Sequence, residues 1–440
     1  MFRLYHSLIN GFLEKTFDHL KLKPWKTKFF IVKTLDFRSS NSKEKLRNYL
    51  KESEEIKPVI DQEKALVSVT EAFKTCFEIG KWMENLEMSN REKIKKRALK
   101  AGVKGYQPDY RFKDPFYHEE TFLDLINKIQ ESIRDLEEQD LEVYRPESLD
   151  IEDIKRLFIE NFEELKNDIR ICSNGGKREI WLENSLEKWP MVSKATFRNS
   201  KKTLTDWEKE KTKSDGISFE QIEKMWRKDL EKLGMEYEVE RRKVKVCHNL
   251  PEQKKLVIAE GKNGGRQYTE KEAARLTSHE IFHAVRAYNG FETGSKSSFP
   301  EIIGLHTPYY SKTEEGGAVY REHRQGTIYP EKEFDYHLML VASYLTSKGE
   351  LFEEVVKELQ SLGATKERSI HLAARSREAL RLHIYQGGYY EEWKDLSDQD
   401  ANKLMIGKVN EEWGQKLYRE AENDGMLEKP KISAEKVFKK

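Results

Sequence analysis

Through the first half of the chain, apolar residues recur three and four positions apart with charged residues between them. Residues 61–88, 118–139 and 150–170 all carry this pattern, which puts the apolar side chains on one face of an α-helix. A short run at 28–32 reads as a strand, and 199–216, polar and rich in Lys, Asp and Thr, reads as a linker or exposed loop. Ser218 and Gln221 then form a capping box that opens a helix, and Gly234 closes it. The period changes at 238–246, where Val239, Val244 and Val246 stand among polar residues as in a strand; 255–260 reads as a second strand. Helical spacing returns at 331–348, 351–362 and 366–383, and no internal repeat is present. These elements predict an α+β, predominantly helical protein. A helical N-terminal region (1–215) is expected to pack on a second part (216–440) and to form one wall of its cleft.

The chemistry concentrates in the second part. Residues 269–290 read as one helix: Thr269 and Glu272 make a capping box, Asn289-Gly290 supplies a left-handed stop, and no proline interrupts. In its middle stands His279-Glu280-Ile281-Phe282-His283. Residues four apart share a helix face, so both imidazoles can grip one metal ion. Glu280 projects about 100° further round, within reach of a water on that ion. Such short strings recur by chance, so the weight comes from the helix and from the strands before it. A catalytic zinc site also needs a third protein ligand. Thr313-Glu314-Glu315-Gly316-Gly317-Ala318-Val319-Tyr320 reads as the first turn of another helix, with Thr313 as N-cap. Spacing alone leaves Glu314 and Glu315 open as ligand. The glycine pair, unfavourable in a helix, makes sense where that helix must approach another backbone closely.

Taken together, Tyr268-Thr269-Glu270, His279-Glu280-Ile281…His283, Arg286, Asn289-Gly290 and Tyr309…Thr313-Glu314-Glu315-Gly316-x-Ala318-Val319-Tyr320 carry a family resemblance. The chain resembles the tyrosine carboxypeptidase family, which includes the microtubule-associated tyrosine carboxypeptidases of animals and the microbial flavohemoglobin expression-modulating QEGLA-motif proteins. The likeness runs over roughly residues 218–432, including Leu404-Met405-Ile406-Gly407-Lys408 and Gly425-Met426-Leu427. It implies a zincin-like core of the gluzincin type, with His279, His283 and Glu315 on Zn2+ and Glu280 as acid/base. Glu315 takes the ligand role because it directly precedes the glycine of the family's Glu-Gly-Leu-Ala string. Three departures stand out. The family usually spaces its histidines with three residues between, and here there are two. In His383-Ile384-Tyr385-Gln386-Gly387-Gly388, two family arginines appear as His383 and Gln386, and Gly317 stands where the family usually has Leu.

The implied function is zinc-dependent carboxypeptidase activity on peptide or protein C-termini, aromatic ones by analogy. A zinc-activated water attacks the carbonyl while Glu280 moves the proton to the leaving amine. The alternatives are an endopeptidase or aminopeptidase with the same core, or a non-catalytic helical regulator that keeps a metal site. Arg286 shares the ligands' face, either to bind the substrate carboxylate or to form a structural salt bridge. Tyr320 and Tyr385 either line the substrate pocket or pack in the core. Glu322 reads as a solvated residue, with a partner role to a ligating histidine as the alternative. His306 and His323 are the remaining histidines near Glu315; the others show no ligand spacing. Trp393, Trp413, Tyr389 and Tyr390 read as core.

Charge adds mainly exclusions. Lys plus Arg number 79 against 78 acidic residues in 440, so no net field selects nucleic acid or an anionic membrane. Three cysteines without a Cys-x-x-Cys point to a reducing compartment and no thiolate metal site. No apolar run is long enough to span a bilayer and no secretory leader is evident, which predicts a cytoplasmic protein.

Overall fold

The computed structural model describes residues 90–106, 151–173, 178–208, 215–261, 263–293, 307–377, 380–423 and 427–439, with a few isolated positions besides. Four helices of the first part lie among them: α1 (Arg91–Ala101), α2 (Ile151–Ser173), α3 (Arg178–Lys188) and α4 (Lys194–Thr205). The second part opens with β1 (Gly216–Ile217) and α5 (Phe219–Leu233). It continues through β2 (Glu238–Arg242), β3 (His248–Leu250), β4 (Lys255–Ala259) and β5 (Tyr268–Thr269). Helices α6 (Glu270–Thr293), α7 (Ser311–Gln325), α8 (Pro330–Ser347), α9 (Phe352–Ser361) and α10 (Lys366–Arg375) follow. The chain ends with α11 (Ile384–Gly388), which runs into a π-helical turn (Tyr389–Trp393), then α12 (Asp398–Leu404), α13 (Glu411–Glu422) and α14 (Ala434–Phe438). The protein is rich in helix with a small mixed sheet. No helix among the described residues is long and apolar enough to cross a membrane.

Capping chemistry sets several boundaries where the sequence places them. Ser218 Oγ accepts from the Gln221 N–H at 3.3 Å, Gln221 Oε1 accepts from the Ser218 N–H at 2.7 Å, and Gly234 ends α5 at φ 73°. Other boundaries differ from expectation. The polar stretch at 199–216 is helical up to Thr205, because Thr196, Ser200 and Leu204 form a buried stripe and Phe197 stacks on Tyr344 at 4.0 Å. The helix expected over 366–383 stops at Arg375. Beyond it, the Arg377 guanidinium donates to the carbonyls of Ala373 and Glu350, so the chain turns before α11 begins. The segments 28–32 and 61–88, and most of 118–139, lie outside the described residues.

The sheet has the order β2-β4-β3, with β2 parallel and β3 antiparallel to β4. The strand expected over 238–246 ends at Arg242. Val246 is 64% exposed, and the chain returns as β3 on the other side of β4. Strand β4 is apolar on both faces and reads as the sheet's buried centre. A separate pair, Gly216↔Thr269 and Ile217↔Tyr268, ties the start of the second part to the entry of α6. Helices of the two parts pack together, α4 on α8 and α1 on α10, and Lys416 of α13 pairs with Asp153 of α2 at 2.5 Å.

The core gathers beneath α6: Trp226, Phe282, Trp393 and Phe438 are buried in one cluster with Leu256 and Ile258 of the sheet. Helix α7 crosses α6 and presses on α11. A Cβ on Gly316 would overlap the backbone of Gly388, and one on Gly317 would overlap Phe282 and Trp393. The glycine pair after Glu315 therefore does what its sequence suggested. It lets α7 approach its neighbours at backbone distance.

Candidate metal centre

Helix α6 begins as its sequence dictates, with Thr269 Oγ1 accepting from the Glu272 N–H at 3.2 Å. It does not stop at Asn289-Gly290 but runs on to Thr293. Asn289 instead uses its side chain as a clamp. Its amide donates to Met405 O at 2.8 Å and Ile432 O at 2.9 Å and accepts from the Ile432 N–H at 2.9 Å. Gly290 gives room to the backbone of Ile303 and Gly304, which a Cβ would meet at 2.5 and 2.6 Å. The pair that read as a stop is a packing device.

His279, His283 and Glu315 converge so that their ligand atoms lie within 4.8 Å of one another; this group can hold a metal ion. His279 Nε2 stands 3.3 Å from Glu315 Oε2, and His283 Nε2 stands 3.8 Å from the same oxygen. Bonds of roughly 2.0–2.2 Å from one tetrahedral ion set ligand atoms about 3.3–3.6 Å apart, so the triangle is close to the size an ion requires. Glu315 Oε2 is buried and lacks an aligned hydrogen-bond partner among the described residues. A cation at the centre of the triangle would satisfy it.

The opposite nitrogen of each ring is fixed by a buried carboxylate. His279 Nδ1 meets Glu322 Oε1 at 2.8 Å, and His283 Nδ1 meets Glu314 Oε1 at 2.8 Å. An ionised carboxylate only accepts, so Nδ1 of each ring donates, and Nε2 is the nitrogen that faces Glu315 and is left for an ion. Carboxylate–histidine pairs of this kind orient metal ligands and make them more basic. Burial opposes protonation of His279, yet Glu315 and Glu322 overcome it and push its pKa up to about 9. A metal ion would compete with that proton for Nε2.

The orienting carboxylates are themselves held as anions. Burial works against Glu314, but Lys408, Arg286 and His283 keep it well below the usual carboxylate range. Burial likewise opposes ionisation of Glu322, and Arg275 with His279 holds its pKa down. Arg275 Nη1 donates to Glu322 at 2.9 Å and to the Tyr336 hydroxyl at 3.1 Å, and that hydroxyl donates to Glu322 at 3.1 Å. Replacing Glu322 with Ala is expected to weaken metal binding about 10–100-fold. Competition with a chromophoric chelator measures this, and Arg275→Ala should move in the same direction by less.

Glu280 lies outside this network. Its carboxylate has no hydrogen bond or ion pair among the described residues, and its charge acts on the Cys247 thiol, just before β3, and on the Tyr385 hydroxyl. Tyr385 stacks on His279 with ring centroids 6.2 Å apart. The negative charge of Glu315, with burial and Glu280 adding to it, pushes the Tyr385 pKa up to about 12. Its hydroxyl therefore stays protonated beside two carboxylates.

Other candidate residues sit elsewhere. Arg286 is fully buried, with Nε on Leu404 O at 3.1 Å, Nη2 on Val409 O at 2.6 Å and Nη1 on Glu314 at 2.6 Å. It braces Glu314 and the 404–409 loop and has no nitrogen left for a substrate carboxylate. Tyr320 is also withdrawn from the site: its ring packs on Phe438 at 4.8 Å and Trp393 at 5.8 Å, and its hydroxyl accepts from Arg324. His323 stacks on Tyr389 and does not belong to the ligand group; His306 lies outside the described residues. His383 and Gln386 are buried, His383 against Pro190 O at 3.1 Å and Gln386 against His337 at 3.4 Å, so neither is offered to a ligand. Thr313 does not cap α7, which starts at Ser311; its hydroxyl donates to Glu392 at 2.5 Å. Trp393 and Trp413 are core residues, as expected.

Sequence reasoning set Glu322 aside as a solvated residue, but it is fully buried on His279. The available signal was its position seven residues after Glu315, two helical turns on and hence on the same face. Glu314, weighed above only as a ligand, is the second such carboxylate. Compared with models of known protein families, with curated proteins and with solved structures, the chain matches none of them, so the site is read from its own geometry.

Proposed function

We propose that the protein is a zinc-dependent metallopeptidase with a zincin-like core that releases residues from the C-termini of peptides or proteins. One observation carries this reading. Two imidazoles, each oriented through Nδ1 by a buried carboxylate, face a third carboxylate, and Glu280 stands beside them without a partner among the described residues. Two neutral nitrogens and one carboxylate oxygen suit zinc better than calcium or magnesium. Zinc bound there supplies Lewis acidity, acidifying a water and polarising a carbonyl. Glu280 takes the proton from the attacking water and returns it to the leaving amine. The Tyr385 hydroxyl, kept protonated, donates a hydrogen bond to the carbonyl oxygen as negative charge builds there.

Further features support peptide binding. Strand β3 is an edge of its sheet, and Glu280 acts on Cys247 directly before it, so an extended chain can pair along that edge. Arg381 is exposed four residues before Tyr385, and after Arg375 it is the second cation that acts to lower that hydroxyl's pKa. With Arg286 withdrawn, it is the cation we assign to the terminal carboxylate. The family resemblance implies the same ligand set and the same role for Glu280. Incubation with free-acid and amidated forms of the same peptides, read by mass spectrometry, tests the reading. Single-residue loss from the free acids alone is expected. Cuts inside the amidated peptides would make the protein an endopeptidase, and losses from the N-terminus an aminopeptidase.

A further inference from the structure

Glu322 Oε1, buried on α7, collects three donors: His279 Nδ1 at 2.8 Å, Arg275 Nη1 at 2.9 Å and the Tyr336 hydroxyl at 3.1 Å. Tyr336 lies on α8 and is almost wholly buried. Its ring makes a second, separate contact. It stacks on Tyr385 of α11, with centroids 5.6 Å apart and planes within 16° of parallel. Tyr385 stacks in turn on His279 of α6, at 6.2 Å and 21°. These contacts close a loop that runs from His279 to Glu322, on to Tyr336, across to Tyr385 and back to His279.

The members of the loop stand on four different helices, so their spacing depends on how those helices pack and not on any one of them. The closed loop holds each member from two sides. One half is made of hydrogen bonds to a buried carboxylate, the other of stacked rings, and both kinds of contact are directional. The Tyr385 hydroxyl has no hydrogen bond among the described residues, so the packing of its ring sets where that hydroxyl points. Tyr336 takes no part in the proposed chemistry, yet its hydroxyl reaches one half of the loop and its ring the other. Lys332 Nζ stands 4.3 Å from the centroid of the same ring and helps to hold it.

We infer that Tyr336 is a positioning residue that ties the metal ligand His279 to Tyr385, so that ligand and phenol hydroxyl keep a fixed separation. This deepens the reading above and rests on its metal centre, not on peptide cleavage. Tyr336→Phe and Tyr336→Leu separate the hydroxyl from the ring. Zinc affinity is read by chelator competition, and the visible absorption of the cobalt-loaded proteins reports the ligand geometry. Tyr336→Phe keeps the stack and removes one donor from Glu322. It should weaken zinc binding roughly two- to tenfold, the worth of one hydrogen bond. Because the hydroxyl acts through Glu322, that loss should vanish in a Glu322→Ala background. Tyr336→Leu should lose roughly a further two- to tenfold, about what an aromatic pair contributes, and shift the cobalt bands. Tyr385→Leu, which breaks the same stack from its other side, should show at least that ring-dependent loss whether or not Tyr336→Leu folds. In the Tyr385→Leu background, Tyr336→Phe and Tyr336→Leu should bind zinc equally. Unchanged zinc affinity in Tyr336→Phe, a loss that persists beside Glu322→Ala, or unchanged affinity in Tyr385→Leu overturns the inference. The expected pattern in a protein that cleaves no peptide would remove the peptidase reading and leave Tyr336 its role.

Discussion

Exchanging Glu280 for Gln is expected to lower kcat/KM about 10²–10⁴-fold, the contribution of a positioned general acid/base, while leaving the metal in place. The two effects separate because Glu280 is not in the ligand group and takes no part in the hydrogen bonds that orient His279 and His283. Gln keeps the size of the side chain and its ability to hydrogen-bond, and loses only the capacity to take up a proton. Metal content and steady-state rates measured on one preparation check both halves. An active Glu280→Gln protein would remove Glu280 from the mechanism. An inactive one without metal would show instead that the substitution disturbs the centre.

Glu315→Ala should have the largest effect on the metal itself. It removes one of three ligands, and the loss should exceed the roughly 10–100-fold expected when only an orienting partner is lost. What remains is two imidazoles backed by Glu322 and Glu314, with no carboxylate facing their Nε2 atoms. A thermal readout follows, because an ion that binds only the folded chain stabilises it by about 4 kcal/mol at a thousandfold excess over Kd. Zinc should raise the Tm of the unaltered protein after treatment with chelator and leave that of Glu315→Ala where it was. Equal shifts in both would place the ion elsewhere.

What could be read from the sequence was local. His279, Glu280 and His283 lie on one helix, where one-turn spacing fixes their relative positions, and Gly316-Gly317 announced a close crossing that Gly388 and Phe282 supply. The orienting partners depend on how helices cross. Glu322 reaches His279 because α7 crosses α6, and Arg286 is engaged by Glu314 and by the carbonyls of Leu404 and Val409, the last two more than a hundred residues away. No periodicity in either helix encodes those partners. Asn289-Gly290 misled for the same reason: a pair that often ends helices here serves tertiary packing. Strand β3 spans three residues, too few for an alternation to register, and the polar look of 199–216 hid the buried stripe of α4.

Quantitative metal analysis of the purified protein, offered zinc together with calcium, magnesium and manganese and then dialysed, tests the central claim most directly. The geometry of His279, His283 and Glu315 predicts one zinc per chain, and the same measurement on His283→Ala should return none. A metal-free unaltered protein, or zinc retained equally by His283→Ala, would contradict the assignment of this centre.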